Sequence, residues 1–207
     1  MPIAILTAFS SGGVLALYTA NTLTDFGAGS LVGGVIALSV VRETGPIITA
    51  ITMIARAGSA ITAEIASMKA TEQIDALRAL AVSPIDYLVV PRVLASLIMV
   101  PLITIFSDVA GVIGGGLIAS TKGIGRHAYV DSFRLLLEPS GADILEGLFK
   151  ALVFGLILVI VSCREGLASE GGAAGVGQAT NRAVVLAIML VYTADLLLTW
   201  LLRPITL

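Results

Sequence analysis

A chain of 207 residues with 57% hydrophobic and only 13% charged side chains lies far below the roughly 25% charged content of soluble domains, so its solvent is lipid. Its net charge is -2 and its basic residues stand singly, which excludes a nucleic-acid-binding protein. With Cys163 its one cysteine and His127 its one histidine, an internal disulfide is impossible and a Cys/His metal site is not expected.

The elements follow in chain order. A helix needs about 20 apolar residues to cross a bilayer core, and the stretch from Ile3 to Thr24 carries no charge. The first span is placed at residues 3–20. Met1-Pro2-Ile3 offers no basic signal-peptide start and no small-residue cleavage site follows. The span is therefore read as retained, with upstream sequence expected before it. A loop at 21–30, holding Asp25, Gly27 and Gly29, leads to a second span at 31–56, centred on Arg42-Glu43-Thr44-Gly45-Pro46. The third span covers 88–120 and contains Asp108. Residues 121–146 are polar, with a turn at Pro139-Ser140-Gly141, and are placed outside the membrane. The fourth span is 147–163. A glycine-rich loop at 166–177 precedes the fifth span at 183–202, which contains Asp195. The fold expected is all-α and polytopic, a single membrane domain of five spans. Small residues at four-residue spacing (Gly12, Ala16, Ala20; Gly29, Gly33; Gly111, Gly115) predict close helix contacts.

Lys and Arg favour the cytoplasmic side. Arg56, Lys69, Arg78 and Arg92 mark the 57–92 connection, and four basic residues mark 121–150, whereas the loop at 21–30 has none. The balance leans towards a cytoplasmic 57–92. Tyr18, Tyr87 and Trp200 suit an aromatic belt near the span ends.

The connection from Arg56 to Pro91 is too polar to span and too regular for a loop. Thr71 is read as an N-cap, with Glu72 favourable at the helix dipole, for a short amphipathic helix ending at Val82-Ser83-Pro84. Ile74, Leu77 and Ala81 share one face; Glu72, Asp75 and Arg78 share the other. Such a helix either lies flat on the membrane or docks a partner, and periodicity alone favours the first.

Two runs change that preference. ALSVVRETGPIITAITMIARAGSAITAEIASMKATEQIDAL and SPIDYLVVPRVLASLIMVPLITIFSDVAGVIGG resemble the MlaE-like permeases of Mce-associated ABC lipid transporters, and the resemblance extends over essentially the whole chain. It rests on RE-x-GP, R-x-G-x-A, AE-x-x-x-M-x-A-TEQ-x-x-A-L and a downstream PR. The resemblance implies a homodimeric permease of the bacterial inner membrane, driven by a cytoplasmic ABC ATPase and linked to an Mce-domain lipid-binding protein on the outer side. ATP and Mg would then sit on the partner ATPase, with no cofactor on this chain. The segment 71–80 becomes a coupling helix, with Glu72, Gln73, Asp75 and Arg78 as polar contacts and Ile74 and Leu77 as anchors. The family usually carries an interfacial helix before the first span, and this chain begins after the point where it would stand.

Ionisable residues at membrane depth are costly and face a cavity or each other. Arg42 and Glu43 are adjacent and point about 100° apart on a helix, so each needs a separate partner. Two readings fit: a structural network between helices, or the polar edge of a lipid cavity. By resemblance the cavity lies between protomers near the first two spans, with Leu15, Tyr18 and Phe26 on its wall. Asp108 and Asp195 suggest an alternative, an ion-coupled secondary transporter, but the internal inverted repeat common in such carriers is not seen. Helix-to-helix hydrogen bonding is the plainer account of both. Arg56, Glu64, Lys69 and Arg92 are read as holding the geometry of the connection. An intramembrane enzyme lacks a nucleophile and base. EGGAAGVG has no GK[ST] pattern, so the glycine-rich loop is not an ATP site and is read as flexible.

Overall fold

The computed structural model describes residues 2–137 and 141–202, so Pro139 and Ser140 of the expected turn lie outside the described residues. Among those residues there are helices and short connections and no strand. Five helices are long and apolar enough to cross a membrane. They are α1 (Pro2–Asp25), α2 (Gly29–Ala70), α4 (Ile85–Thr121), α6 (Ala142–Leu167) and α7 (Gly172–Leu202). Two short helices complete the set, α3 (Gln73–Ala79) and α5 (Arg126–Leu136).

Several boundaries differ from the sequence reading. Helix α2 runs on to Ala70, and the polar stretch at 121–146 contains α5 and the first turn of α6. The glycine-rich loop is mostly helix: α6 reaches Leu167 and α7 begins at Gly172. Glycine there reflects close packing as well as turning, since a Cβ on Gly166 would press on the Ile65 side chain at 2.9 Å. Thr71 is not an N-cap. It ends α2, its hydroxyl donating to the Ser67 carbonyl at 2.9 Å, and Glu72 precedes α3 in the left-handed region at φ 58°.

The chain forms two compact units. The first comprises the chain up to Thr49, Pro101–Ala151 and the end from Thr199. Its core holds Ala16, Ala20, Val32, Ile36, Val40, Ala119 and Tyr129. Helices α1 and α4 meet backbone to backbone, because a Cβ on Gly12 would overlap the Gly111 carbonyl. This is the close approach that rows of small residues permit in lipid. Gly33 and Gly34 do the same for α5, with the Gly34 N–H donating to Ser132 Oγ at 2.8 Å. Gly29 does not join that row, meeting only Thr24 at the end of α1.

The second unit comprises Ala50–Val100 and Leu152–Leu198. Polar side chains tie its helices together: Ser96 Oγ donates to the Gly155 carbonyl at 2.7 Å and Thr62 Oγ1 to the Ser162 carbonyl at 3.1 Å. Arg92 pairs with Glu64 at 2.8 Å, and Lys69 Nζ donates to the Leu167 carbonyl at 2.8 Å. These three hold the connection, as the sequence suggested of them, whereas Arg56, expected to act with them, is exposed. Helix α7 buries a stripe of Ala179, Ala183, Ala187 and Val191. Of the five spans it is the least covered by its own chain.

Candidate functional site: a charge network and an exposed helix

The charge network lies in the first unit and starts from a proline. Pro46 has no N–H to return to the Arg42 carbonyl one turn earlier, and its ring crowds that turn. The helix responds by widening into a π turn at Val40–Thr44. Such insertions recur at functional sites. The Arg42 carbonyl accepts from Lys150 Nζ of α6 at 3.2 Å. Gly147 makes that approach possible, since a Cβ there would overlap the Val41 carbonyl.

The side chains of the π turn find their partners along one face of α6. Arg42 Nε lies 2.6 Å from Asp143 and 3.3 Å from Glu146, close ion pairs off the alignment of a hydrogen bond. Glu43 accepts from Lys150 Nζ at 2.6 Å and from Thr199 Oγ1 at 3.1 Å. Lys150 also donates to Thr199 Oγ1 at 2.8 Å and lies 3.5 Å from Glu146. Positions 143, 146 and 150 recur at three and four residues, which puts them on one helical face. The expectation that Arg42 and Glu43 need separate partners holds. The sequence does not reveal the partners themselves: Asp143 and Glu146 sit in a polar stretch that reads as outside the membrane but whose last residues begin a spanning helix, and nothing local pairs Lys150 with Glu43.

The network's composition decides what it can do. Arg42 and Lys150 face three carboxylates, Glu43, Asp143 and Glu146, so both cations are already matched. Lys150 is fully buried, Asp143 and Glu146 nearly so, and only Arg42 and Glu43 among the five have substantially exposed side chains, 25% and 35%. Two residues on from Glu43, Gly45 meets the buried Asp108, whose Oδ1 stands where a Cβ would be. Of the proposed wall residues, Leu15 packs partly into the core of the first unit, whereas Tyr18 and Phe26 are strongly exposed.

Helix α3, in the second unit, is the other candidate site. Ile74 is buried and Leu77 half-buried, so this face holds the helix to its own chain. Glu72, Gln73, Asp75 and Arg78 are exposed, Arg78 pairing with Asp75 at 2.9 Å across one turn. Past the helix, Leu80, Ile85 and Tyr87 expose apolar surface. Both ends of α3 are sharp corners. Val82 N–H returns to the Leu77 carbonyl and Ala81 N–H to that of Arg78, both at 3.0 Å, the Schellman pattern with alanine at φ 57° in the glycine position.

Comparison with known proteins adds the following. Residues 1–201 match the family described as Permease MlaE. A probable ABC transporter permease protein of Rickettsia prowazekii is 42% identical over 96% of this chain and 76% of its own length. One from Synechocystis is 41% identical over 97% of this chain and 76% of its own. The chloroplastic protein Trigalactosyldiacylglycerol 1 of Arabidopsis thaliana is 36% identical over 95% of this chain and 56% of its own.

Proposed function

The chain belongs to the MlaE permease family, and we propose that it is the membrane subunit of an ABC transporter that moves phospholipid or a related lipid between membranes. A separate cytoplasmic ATPase supplies the work, with ATP and Mg bound on that partner. The observation that carries the reading is α3: a short helix fixed by Ile74 on one side, presenting Glu72, Gln73, Asp75 and Arg78 on the other. A polar, exposed helix anchored on one face, between two spanning helices, is what a motor subunit needs to push on. The names of the bacterial relatives support an ABC partner, and the name of the Arabidopsis relative contains that of a glycolipid.

In this reading two copies enclose the lipid cavity, in a bacterial inner membrane, and an Mce-domain protein receives or delivers the lipid at the outer side. Helix α7 leaves Met189, Tyr192 and Leu196 uncovered, surface available to lipid or to a second copy. Leu15, Tyr18 and Phe26 belong to the cavity wall. Arg42 and Glu43, the exposed edge of the charge network, meet the head group. Since both cations of the network are already matched by carboxylates, its larger role is to lock α2 to α6 beside the cavity. Co-purification tests the coupling. The chain, co-expressed with its ATPase and extracted in detergent, retains the ATPase, and Glu72→Lys or Arg78→Glu releases it. A chain that purifies alone, or variants that hold the ATPase fully, overturns the assignment of α3.

A further inference from the structure

An apolar groove outside the charge network lies in the first unit. Helix α5 lies on the end of α4, with Tyr129 seated over Gly115 and Gly116, where a Cβ would come to 3.0 Å from the tyrosine. The phenol donates to the Val112 carbonyl at 2.9 Å, fixing the floor. Beside this floor runs a cavity of about 470 Å³, walled by Ile113 and Leu117 of α4 and Val130 and Phe133 of α5, with Arg126 at its rim. A second cavity of about 280 Å³ shares Val112, Ile113 and Phe133 with it and continues along α4 to Ile105. Asp108 borders this lower part, with its Oδ1 set against Gly45. From position 105 to 117 the groove follows α4 for about 18 Å.

We propose that this groove binds an anionic phospholipid of the surrounding bilayer. The acyl chain lies along Ile105, Ile113 and Leu117, and the phosphate meets Arg126 and Lys122. Helix α4 ends at Thr121, so both cations stand where a spanning helix emerges and head groups begin. Neither has an ion-pair partner among the described residues, in contrast to Arg42, Lys150 and Arg92. The apolar walls are open to the lipid, Ile113 and Leu117 being about half exposed. A second copy is a poorer occupant, because a two-fold contact through this face would bring Lys122 and Arg126 against the same cations.

Photolabelling of the whole protein in nanodiscs tests this. The discs are mainly phosphatidylcholine, with a little phosphatidylglycerol carrying a diazirine in its acyl chain. Label is expected at Ile113, Leu117 or Val130, displaced by unlabelled phosphatidylglycerol and not by further phosphatidylcholine. The double variant Lys122→Glu/Arg126→Glu, both exposed positions, lowers the labelling about thirtyfold, in line with two lost cation contacts. Arg134→Glu, on α5 but off the groove, leaves it unchanged. Label spread evenly over the exposed faces of all the spans, or indifferent to the charge reversal, overturns the proposal. So does ready disulfide dimerisation of Val130→Cys, which would place a second copy on the groove.

Discussion

Lys150 is the residue on which most depends. An ammonium buried to this degree is tolerated only because Glu43, Thr199 and the Arg42 carbonyl all accept from it. Lys150→Met removes the cation and strands Glu43 and Glu146. We expect a loss of about 3–5 kcal/mol, read from unfolding in graded denaturant in mixed micelles. Adding Glu43→Gln recovers part of it by removing one stranded charge; no recovery contradicts the pairing. Tyr129 gives a second expectation. Burial pushes its phenol above the ordinary value of 10. The folded chain therefore keeps the proton at pH values where the unfolded chain releases it. Stability from this residue is constant below about pH 10 and falls as pH rises beyond it. Tyr129→Phe abolishes that alkaline slope, and costs about 1 kcal/mol at neutral pH through the lost bond to Val112.

At the scale of elements, the helix ends sort into two kinds. Helices α1 and α4 close with Gly27 and Gly123 in the left-handed region, where glycine meets no penalty. The two corners that flank α3 use Glu72 and Ala81 instead, at a cost of about 1 kcal/mol or more each. Strain held on both sides of one short helix suits an element that changes position under load. Ala81→Gly is expected to raise thermal stability, by about 0.5–1 kcal/mol, while weakening the response of ATPase rate to lipid; a destabilised variant contradicts the strain. The α1–α4 seam makes the opposite demand. Gly12→Val forces the backbones apart and costs about 1–3 kcal/mol, seen as a lower melting temperature in detergent.

These elements also show what could be read in advance. Long apolar stretches reveal the five spans, and small-residue spacing reveals the Gly12 and Gly111 seam, because both are properties of one helix. The short amphipathic helix came from its periodicity, but its start did not: Thr71 satisfies cap chemistry at either kind of helix end, and only the backbone at Glu72 decides between them. Asp143, Glu146 and Lys150 were hidden for a different reason. Each looks like solvent-facing charge until the π turn made by Pro46 brings Arg42 and Glu43 onto the same face of α6, a pairing more than a hundred residues distant in sequence.

For the molecule as a whole, the charge-locked spans, the exposed polar helix α3 and membership of a permease family fit the proposed machine driven from outside the chain. The rival, a carrier driven by ions through Asp108 and Asp195, predicts transport without any ATPase. The deciding measurement is lipid movement in proteoliposomes that contain the chain, the proposed ATPase and the proposed Mce-domain partner, followed with fluorescent phospholipid. Transfer to the Mce-domain protein that requires ATP, persists with the proton gradient collapsed and is lost in Glu72→Lys is the predicted result. Transfer that proceeds without the ATPase and stops when the gradient is collapsed contradicts it.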